Sequence, residues 1–220
     1  MGFTRAELES FRDRTVPDLI GPDLRLLFVG INPGLWTAAT RTHFAHPGNR
    51  FWPALRRAGI IDRDFDHGAG MTDQDRAYVT GRGIGITNLA TRATARADEL
   101  TAEELRAGRA RLLGVIERFR PRVVAVAGIS AYRIAFGRPR ARPGPQQDRL
   151  CDAQLWLVPN PSGLNAHATV ESLATDYAAA ARAAGVLDRP GREPRRPGVP
   201  GSPRGPGTRE QPGVSGSGSW

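Results

Sequence analysis

Short apolar runs alternate with stretches of helical periodicity along the first 187 residues of the chain. Four runs have the length and composition of buried strands, and they are Arg25–Gly30, Gly85–Leu89, Arg122–Ala127 and Gln154–Val158. Helical patterns cover Arg50–Ala58, Ala102–Phe119, Ser130–Phe136 and Thr169–Ala184. Because strands alternate with helices, the sequence predicts an α/β protein, a three-layer α/β/α sandwich with a short, mainly parallel central sheet.

The helix ends carry signals of their own. A helix of about Arg5–Arg14 should pack at the edge of the domain. Either Asp98 or Thr101 is placed to cap the helix that starts near residue 102, and Pro121 follows that helix where a stop is expected.

The composition changes sharply near Asp188. From there the chain is rich in Pro, Gly, Ser and Arg and has almost no large apolar residue. Such a segment cannot bury enough apolar surface to offset the entropy lost on ordering. The sequence therefore predicts a folded domain over residues 1–187, with its core at about 24–184, and a disordered tail over 188–220. The tail is either a loose electrostatic contact for nucleic acid or a solvated linker.

Arginine accounts for every basic residue of the chain. The formal net charge is +9, so a polyanionic partner is expected, although a compositional bias would produce the same arginine content. Since the sequence contains no lysine, no lysine amine can form a Schiff base. The single cysteine, Cys151, excludes an internal disulfide and a four-thiolate iron–sulfur cluster.

No metal, cofactor or membrane contact is expected. The chain has four histidines, which are His43, His46, His67 and His167. None of them has a cluster of acidic residues or cysteines beside it at the spacing of metal ligands. No apolar window is long enough to cross a bilayer, and the N-terminus lacks the apolar core of a signal peptide. A cytoplasmic location is the expectation.

Two predicted strands end in polar loops that contain proline. Gly30–Gly34 (GINPG) follows the first strand, and Pro159–Leu164 (PNPSGL) follows the last. Ligands of an open parallel sheet bind outside the carboxyl ends of its strands, so both loops should share one rim. Asn32 offers a neutral donor and a neutral acceptor there, and its alternative role is to cap its own turn.

The segment after the first loop brings aromatic and polar residues together. His43 and His46 flank Phe44, and Phe51 and Trp52 follow. An aromatic ring beside polar turn groups suits a flat heteroaromatic ligand, which stacks on the ring while backbone groups bind its edge. The two histidines are candidate site groups, whereas Phe51 and Trp52 should belong to the core.

These segments together resemble one family. GINPGLWTAATRTHFAHPGNRFW (residues 30–52) with VPNPSGLN (residues 158–165) is similar to the mismatch-specific uracil/thymine DNA glycosylases, the bacterial G:U and eukaryotic G:T enzymes of the uracil-DNA glycosylase superfamily. The resemblance runs from about Leu24 to Ala184 and includes GITNLATRATARADELT (residues 85–101). It implies the same three-layer fold that the periodicity predicts.

The resemblance also implies which residues form the active site. Asn32 would be the catalytic side chain and position the water that attacks the sugar, and Phe44 would stack on the flipped base. Backbone groups near Ile31 and Phe44 would bind the edge of the base. Thr37 would lie near the 5-substituent, with Asn88 as a second pocket residue.

A second set of implied residues contacts the DNA or supports the loops. Leu164, with Ser162 and Gly163 beside it, would fill the gap that the extruded nucleotide leaves. The supporting loop residues are Gly30, Pro33, Gly34, His46, Asn49, Asn160 and Pro161. The chain departs from the family at Asn165–His167, where relatives carry an Arg behind the wedge, and at Trp36, which is bulky and would narrow the pocket mouth.

The function implied by the resemblance is that of a DNA glycosylase, a hydrolase of N-glycosyl compounds in base excision repair, and the absence of lysine predicts a monofunctional enzyme. It would flip uracil, or thymine or ethenocytosine, out of a mispair with guanine in double-stranded DNA and leave an abasic site. No cofactor is implied. We expect a monomer that is cytoplasmic and associated with the nucleoid.

Two alternatives stay open at this point. The same chemistry could act on xanthine, hypoxanthine or another lesion, or the chain could be a noncatalytic module that binds damaged DNA. A generic nucleotide-binding protein is less well supported, because neither GxxxxGK[ST] nor GxGxxG follows a predicted strand.

Overall fold

The central sheet has five strands within the part of the chain that the structure describes. The computed structural model describes residues 2–188, so the predicted tail from residue 189 onward lies outside the described residues. The strands are β1 (Leu26–Gly30), β2 (Ile84–Asn88), β3 (Val123–Ala127), β4 (Gly144–Leu150) and β5 (Ala153–Val158). Their order is β2-β1-β3-β5-β4, with β4 antiparallel to β5 and the other neighbouring pairs parallel.

Helices cover both faces of this sheet. Within residues 2–188 they are α1 (Arg5–Glu9), α2 (Leu35–Thr40), α3 (Phe51–Arg57), α4 (Asp73–Gly81), α5 (Ala102–Phe119), α6 (Ile129–Phe136) and α7 (Val170–Ala184). The core beneath α3, α4 and α7 contains Leu26 and Phe28 of β1, and the core beneath α5 and α6 contains Leu27 and Val29. Alternate residues of β1 thus enter opposite cores, which is why the whole strand is apolar. The predicted three-layer α/β/α fold is confirmed.

Local sequence explains where several helices begin. Thr72, Thr101 and Thr169 each cap a helix, and in each case the side chain three residues later bonds back to the cap. Thr101, and not Asp98, caps α5, because Asp98 lies in a short 3₁₀ turn before it. None of the helices within residues 2–188 has both the length and the apolarity to cross a membrane.

The structure differs from the sequence prediction at four elements. The first helix ends at Glu9 instead of near Arg14, because the chain turns there and reverses at Asp13, where φ is 64°. The short helices α2 and α4 were not predicted, and neither was β4. β4 pairs only with β5, is mostly exposed and reads GPQQDRL, so it lacks the apolar run of a buried strand.

Candidate active site at the carboxyl edge of the sheet

The two polar loops lie at the same edge of the sheet. β1 ends at Gly30 and β2 ends at Asn88, and these residues are partners in the parallel register. β5 ends at Val158, immediately before the Pro159–Leu164 loop. Because β1, β2 and β5 run in the same direction, their carboxyl ends bring the GINPG loop, Asn88 and the second loop to one rim.

The amide nitrogen of Asn32 is held by three acceptors. It donates to Thr94 Oγ1 at 2.7 Å, to the carbonyl of Pro33 at 2.9 Å and to the carbonyl of Arg92 at 3.1 Å. The Thr94 hydroxyl itself donates to the carbonyl of Arg96, so its lone pairs face Asn32. A rotated amide would turn its oxygen toward three acceptors, so this network determines which end of the amide is buried.

The carbonyl oxygen Oδ1 of Asn32 is left available. The side chain is half-buried, and Oδ1 accepts no hydrogen bond from residues 2–188 and is not sealed from solvent. Two of the three acceptors of its amide nitrogen lie 60 and 62 residues further along the chain, so the side chain does more than cap its own turn. An amide oxygen fixed in this way can accept a hydrogen bond from a water molecule without carrying charge.

Sequence reasoning missed Arg92 and Thr94 as supports of Asn32. They lie between β2 and α5, in the segment of residues 85–101 that carries part of the resemblance, but nothing in its sequence marks these two residues as partners of Asn32. The Arg92 guanidinium pairs with Asp13 at 3.0 Å and with Glu104 at 2.7 Å, while its carbonyl binds Asn32. Arg92 thus connects the N-terminal segment and α5 to the first loop.

The Arg92–Glu104 pair should make the free energy of unfolding depend on pH in the acid range. The side-chain hydrogen bond from Arg92 and the backbone hydrogen bond of Thr101 lower the pKa of Glu104 to about 2 from 4.5. A carboxylate with a lowered pKa stabilises the folded chain above pH 4.5, and this contribution is lost as the pH falls toward 2. We expect Glu104→Gln to lower the midpoint of thermal unfolding at neutral pH, and its effect to shrink as the pH falls through this range.

Glu103→Gln is the matched control for that prediction. Glu103 is the neighbouring residue of α5, it is exposed, and its carboxylate forms no salt bridge within residues 2–188. Removing its charge should leave the pH dependence of unfolding unchanged. Equal effects of the two substitutions would contradict the role assigned to the Arg92 pair.

Phe44 presents an aromatic ring at the rim. Its ring stacks on Phe51, with centroids 4.1 Å apart and an interplanar angle of 23°, and the side chain is half-buried. Its φ of 56° lies in the left-handed region, which costs a residue with a side chain about 1–3 kcal/mol. The backbone N–H and C=O of Phe44 form no hydrogen bond with residues 2–188. The turn therefore holds both the ring and free backbone groups in place.

Asn88 and Phe44 converge on Gly30. A Cβ at Gly30 would overlap the Oδ1 of Asn88 and would come within 3.3 Å of Cζ of Phe44. The Asn88 side chain is buried, but its Oδ1 accepts no hydrogen bond from the described residues and is not sealed from solvent. The rim thus combines an aromatic face with a neutral acceptor, and glycine leaves the space between them.

Ile31 and Thr37, two further candidates from the sequence, differ in their hydrogen bonding. The carbonyl of Ile31 accepts a hydrogen bond from the backbone N–H of Ala90 at 2.8 Å, so one of its backbone groups is already engaged. Thr37 is buried on α2, and its hydroxyl forms no hydrogen bond within residues 2–188.

The second loop exposes Leu164. With 82% of its surface accessible, Leu164 is far more exposed than the other exposed large apolar side chains of residues 2–188, Phe3 and Ile134. Asn160 Oδ1 accepts from the backbone N–H of Ser162, which makes a tight turn before Leu164. The loop is therefore built to hold an apolar side chain in solvent.

The two loops are in direct contact. A Cβ at Gly163 would come within 2.8 Å of the carbonyl oxygen of Gly48, so only glycine permits this approach. Arg50, which sequence reasoning missed, donates from Nη1 to the carbonyls of Ser162 at 3.3 Å and Asn165 at 3.0 Å. Its backbone N–H also donates to the carbonyl of Pro161 at 2.9 Å. Arg50 thereby connects residues 46–52 (HPGNRFW) to the loop that carries Leu164.

The remaining candidates have local structural contacts. Asn49 Oδ1 accepts from the backbone N–H of Phe51 and so covers the start of α3. His46 is exposed, and its ring lies edge-on to Trp36. Trp36 donates to the carbonyl of Gly68 at 2.9 Å and is half-buried, so it packs against the neighbouring loop.

Two surface cavities lie away from these residues. One is lined by Trp52, Pro53, Arg56, Arg57, Ile61, Asp64, Phe65 and His67, and the other by Asp18, Ile20, Arg111, Gly114, Val115, Arg118 and Phe119. Neither contains Asn32, Phe44 or Asn88, whose groups line an open rim.

Comparisons with known proteins identify a related fold and a family. A solved structure with the same fold is the solution NMR structure of a candidate uracil DNA glycosylase from Methanosarcina acetivorans, with a TM-score of 0.54 and 16% sequence identity. The match covers 79% of this chain and 98% of that one. The sequence model of the uracil DNA glycosylase superfamily matches residues 17–182, which include both loops, Phe44 and Asn88. The chain belongs to the uracil DNA glycosylase superfamily.

Proposed function

We propose that this protein is a monofunctional DNA glycosylase that hydrolyses the N-glycosidic bond of uracil mispaired with guanine and leaves an abasic site. The observation that carries the proposal is the Asn32 amide, whose nitrogen is held by three acceptors while its oxygen accepts no hydrogen bond from residues 2–188. Membership in the uracil DNA glycosylase superfamily supports this assignment.

Each group at the rim has a task in this reaction. Phe44 provides a face on which an extruded base stacks, and its free backbone groups can bind the edge of the base. Asn32 Oδ1 orients a water molecule toward the anomeric carbon of the sugar. As the bond breaks, positive charge develops on the sugar and negative charge on the base. A fixed donor near the base, such as the backbone N–H of Phe44, stabilises that negative charge.

Uracil suits this arrangement because it leaves as a stable anion. A neutral amide is a weak base, so Asn32 positions the water but is a poor general base for it. The hydrolysis should therefore be slow. Extrusion costs a few kcal/mol, and less for a mispaired base, which favours uracil opposite guanine over uracil opposite adenine. The net charge of +9 supports attraction to the phosphate backbone, which carries no information on the lesion.

The absence of lysine supports simple hydrolysis. Enzymes that also cut the DNA backbone commonly form a Schiff base through an amine, and the chain contains no lysine side chain. The product should therefore be an intact abasic site that breaks only on treatment with alkali. Strand cleavage at the rate of base release would contradict the proposal.

The experiment is a panel of single-lesion duplexes. Each duplex carries uracil, thymine, ethenocytosine, xanthine or hypoxanthine opposite guanine, or uracil opposite adenine, and abasic sites are revealed by alkali. We expect the fastest release from the uracil–guanine pair. Fastest release of another base would assign a different lesion, and tight binding with no release from any duplex would identify a noncatalytic module.

The exposed leucine should act in base extrusion. Apolar side chains inserted into a base stack offset part of the cost of unstacking, so Leu164→Ala should slow release from duplex DNA by about 10-fold or more. Release from single-stranded DNA, where no gap has to be filled, should change little. Single-turnover assays on both substrates measure the difference.

Ile134→Ala is the control for that substitution. Ile134 is an exposed apolar residue on α6, outside both loops. It should leave both rates unchanged. If Leu164→Ala slowed the duplex and single-stranded reactions equally, the wedge role would be wrong.

A further inference from the structure

His43 is a buried histidine between the candidate base pocket and the N-terminal segment. It is 2% exposed, and its Nε2 lies 3.0 Å from the carbonyl oxygen of Pro17. Its Nδ1 lies 3.3 Å from the amide nitrogen of Asn88. Both ring nitrogens thus have a partner within the described part of the chain.

These partners determine the tautomer of the ring. A carbonyl oxygen only accepts, so Nε2 must carry a hydrogen, and a neutral ring then has a lone pair on Nδ1. Burial lowers the pKa of His43, which keeps the imidazole neutral at physiological pH. The Nδ1 lone pair therefore accepts from the amide nitrogen of Asn88.

The tautomer in turn determines the orientation of Asn88. A rotated amide would place Oδ1 against the Nδ1 lone pair, so the NH₂ group points to His43 and Oδ1 points toward Gly30 and the rim. Arg111 donates to the backbone carbonyl of Asn88 and to Thr87 Oγ1, which holds the main chain at this position. Asn88 thus presents a fixed acceptor to a base that stacks on Phe44.

We propose that His43 is a specificity-determining positioning residue, which locks Asn88 as a hydrogen-bond acceptor and so selects bases that carry a ring N–H at the edge facing it. The proposal rests on the proposed function, since it concerns the same base pocket. His43 acts through Asn88 and touches no substrate itself.

The selected substrate class follows from the chemistry of the base edge. Uracil and thymine carry N3–H between two carbonyls, and xanthine and hypoxanthine also carry a ring N–H beside a carbonyl. Cytosine has a lone pair at N3, and ethenocytosine has no N–H at that edge. The N3 lone pair of cytosine would face Asn88 Oδ1 and be repelled by it. The bound base would then cover this oxygen without offering it a donor, which weakens binding.

Binding to duplexes that resist hydrolysis tests the proposal without turnover. The probes carry 2′-fluoroarabino-uracil or 2′-fluoroarabino-cytosine opposite a tetrahydrofuran abasic analogue, so that neither base is paired before extrusion. We expect the wild-type protein to bind the uracil duplex about 10-fold more tightly than the cytosine duplex. In His43→Leu this ratio should fall to nearly one.

Matched variants separate positioning from a loss of packing. His43→Gln can donate to Pro17 and accept from Asn88, so it should retain most of the uracil preference. Asn88→Leu should lose the preference, and adding His43→Leu to it should change nothing further. A folded His43→Leu protein that keeps the wild-type preference would overturn the proposal, as would a wild type that shows no preference.

The tautomer can also be measured in the wild-type protein, which keeps the proposal testable if His43→Leu does not fold. Nitrogen-15 NMR of the imidazole should show His43 protonated at Nε2 and unprotonated at Nδ1, with His43→Gln giving the assignment. A proton on Nδ1 would refute the proposal. A protein that prefers uracil but releases no base would contradict the proposed hydrolysis alone, whereas release of uracil with an unchanged preference in His43→Leu would contradict only the role of His43.

Discussion

Asn32→Ala is expected to slow the release of uracil from a uracil–guanine duplex by about 100- to 10,000-fold. The substitution removes the only side-chain group at the first loop that combines a fixed orientation with a free oxygen, within the described part of the chain. Phe44 and Asn88 remain in place, so affinity for the duplex should change little. Single-turnover rates and a binding titration on the same DNA measure the two effects.

Asn32→Asp is a stricter test of the orientation of this side chain. A carboxylate is a stronger base than an amide, so it would accelerate hydrolysis if base strength alone mattered. In this structure, however, one carboxylate oxygen would face Thr94 Oγ1 and the carbonyls of Pro33 and Arg92 without a donor. We therefore expect Asn32→Asp to be slower than the wild type. A faster variant would show that the three acceptors do not govern the orientation.

Gly30→Ala should be nearly as damaging, although it adds one methyl group. That carbon would overlap Asn88 Oδ1 and press on the Phe44 ring, so one of the two must move. Displacements of about 1 Å at a reaction centre can cost about 100-fold in rate, and we expect a loss of that order. The measurement is the single-turnover rate, with the thermal midpoint as a check on folding.

Gly34→Ala is the matched control in the same loop. A Cβ there would meet nothing within 4 Å, and its φ of −76° is open to any residue. Its rate of base release should equal that of the wild type. Equal losses in Gly30→Ala and Gly34→Ala would mean that the loop, and not the space beside Asn88, is what the reaction requires.

The positions of the buried elements could be predicted from the sequence. Each of the four apolar runs forms a parallel strand, because a strand covered on both faces is apolar at most of its positions. The long helix α5 was predicted with its bounds, since Thr101 caps it and Pro121 follows its end. β4 was missed for the opposite reason, because an edge strand paired on one side can consist of polar residues.

The supports of the candidate site could not be predicted in the same way. Thr94 and Arg50 act through hydrogen bonds to residues 62 to 115 positions away in the chain. His43 was a candidate site group in the sequence, but its partner Asn88, which lies 45 positions away, could not be predicted. Such contacts follow no period, and a Thr, Arg or His in a polar loop looks the same whether or not it holds a partner.

By itself, the sequence determined the layered fold and the two loops that follow its strands. Burial and turn geometry depend on residues that are close together in the chain, so both can be predicted from local sequence. Only the tertiary structure decided which end of Asn32 and of Asn88 faces outward. An amide is nearly symmetrical in shape, so its orientation depends on donors and acceptors that the fold brings beside it from distant segments.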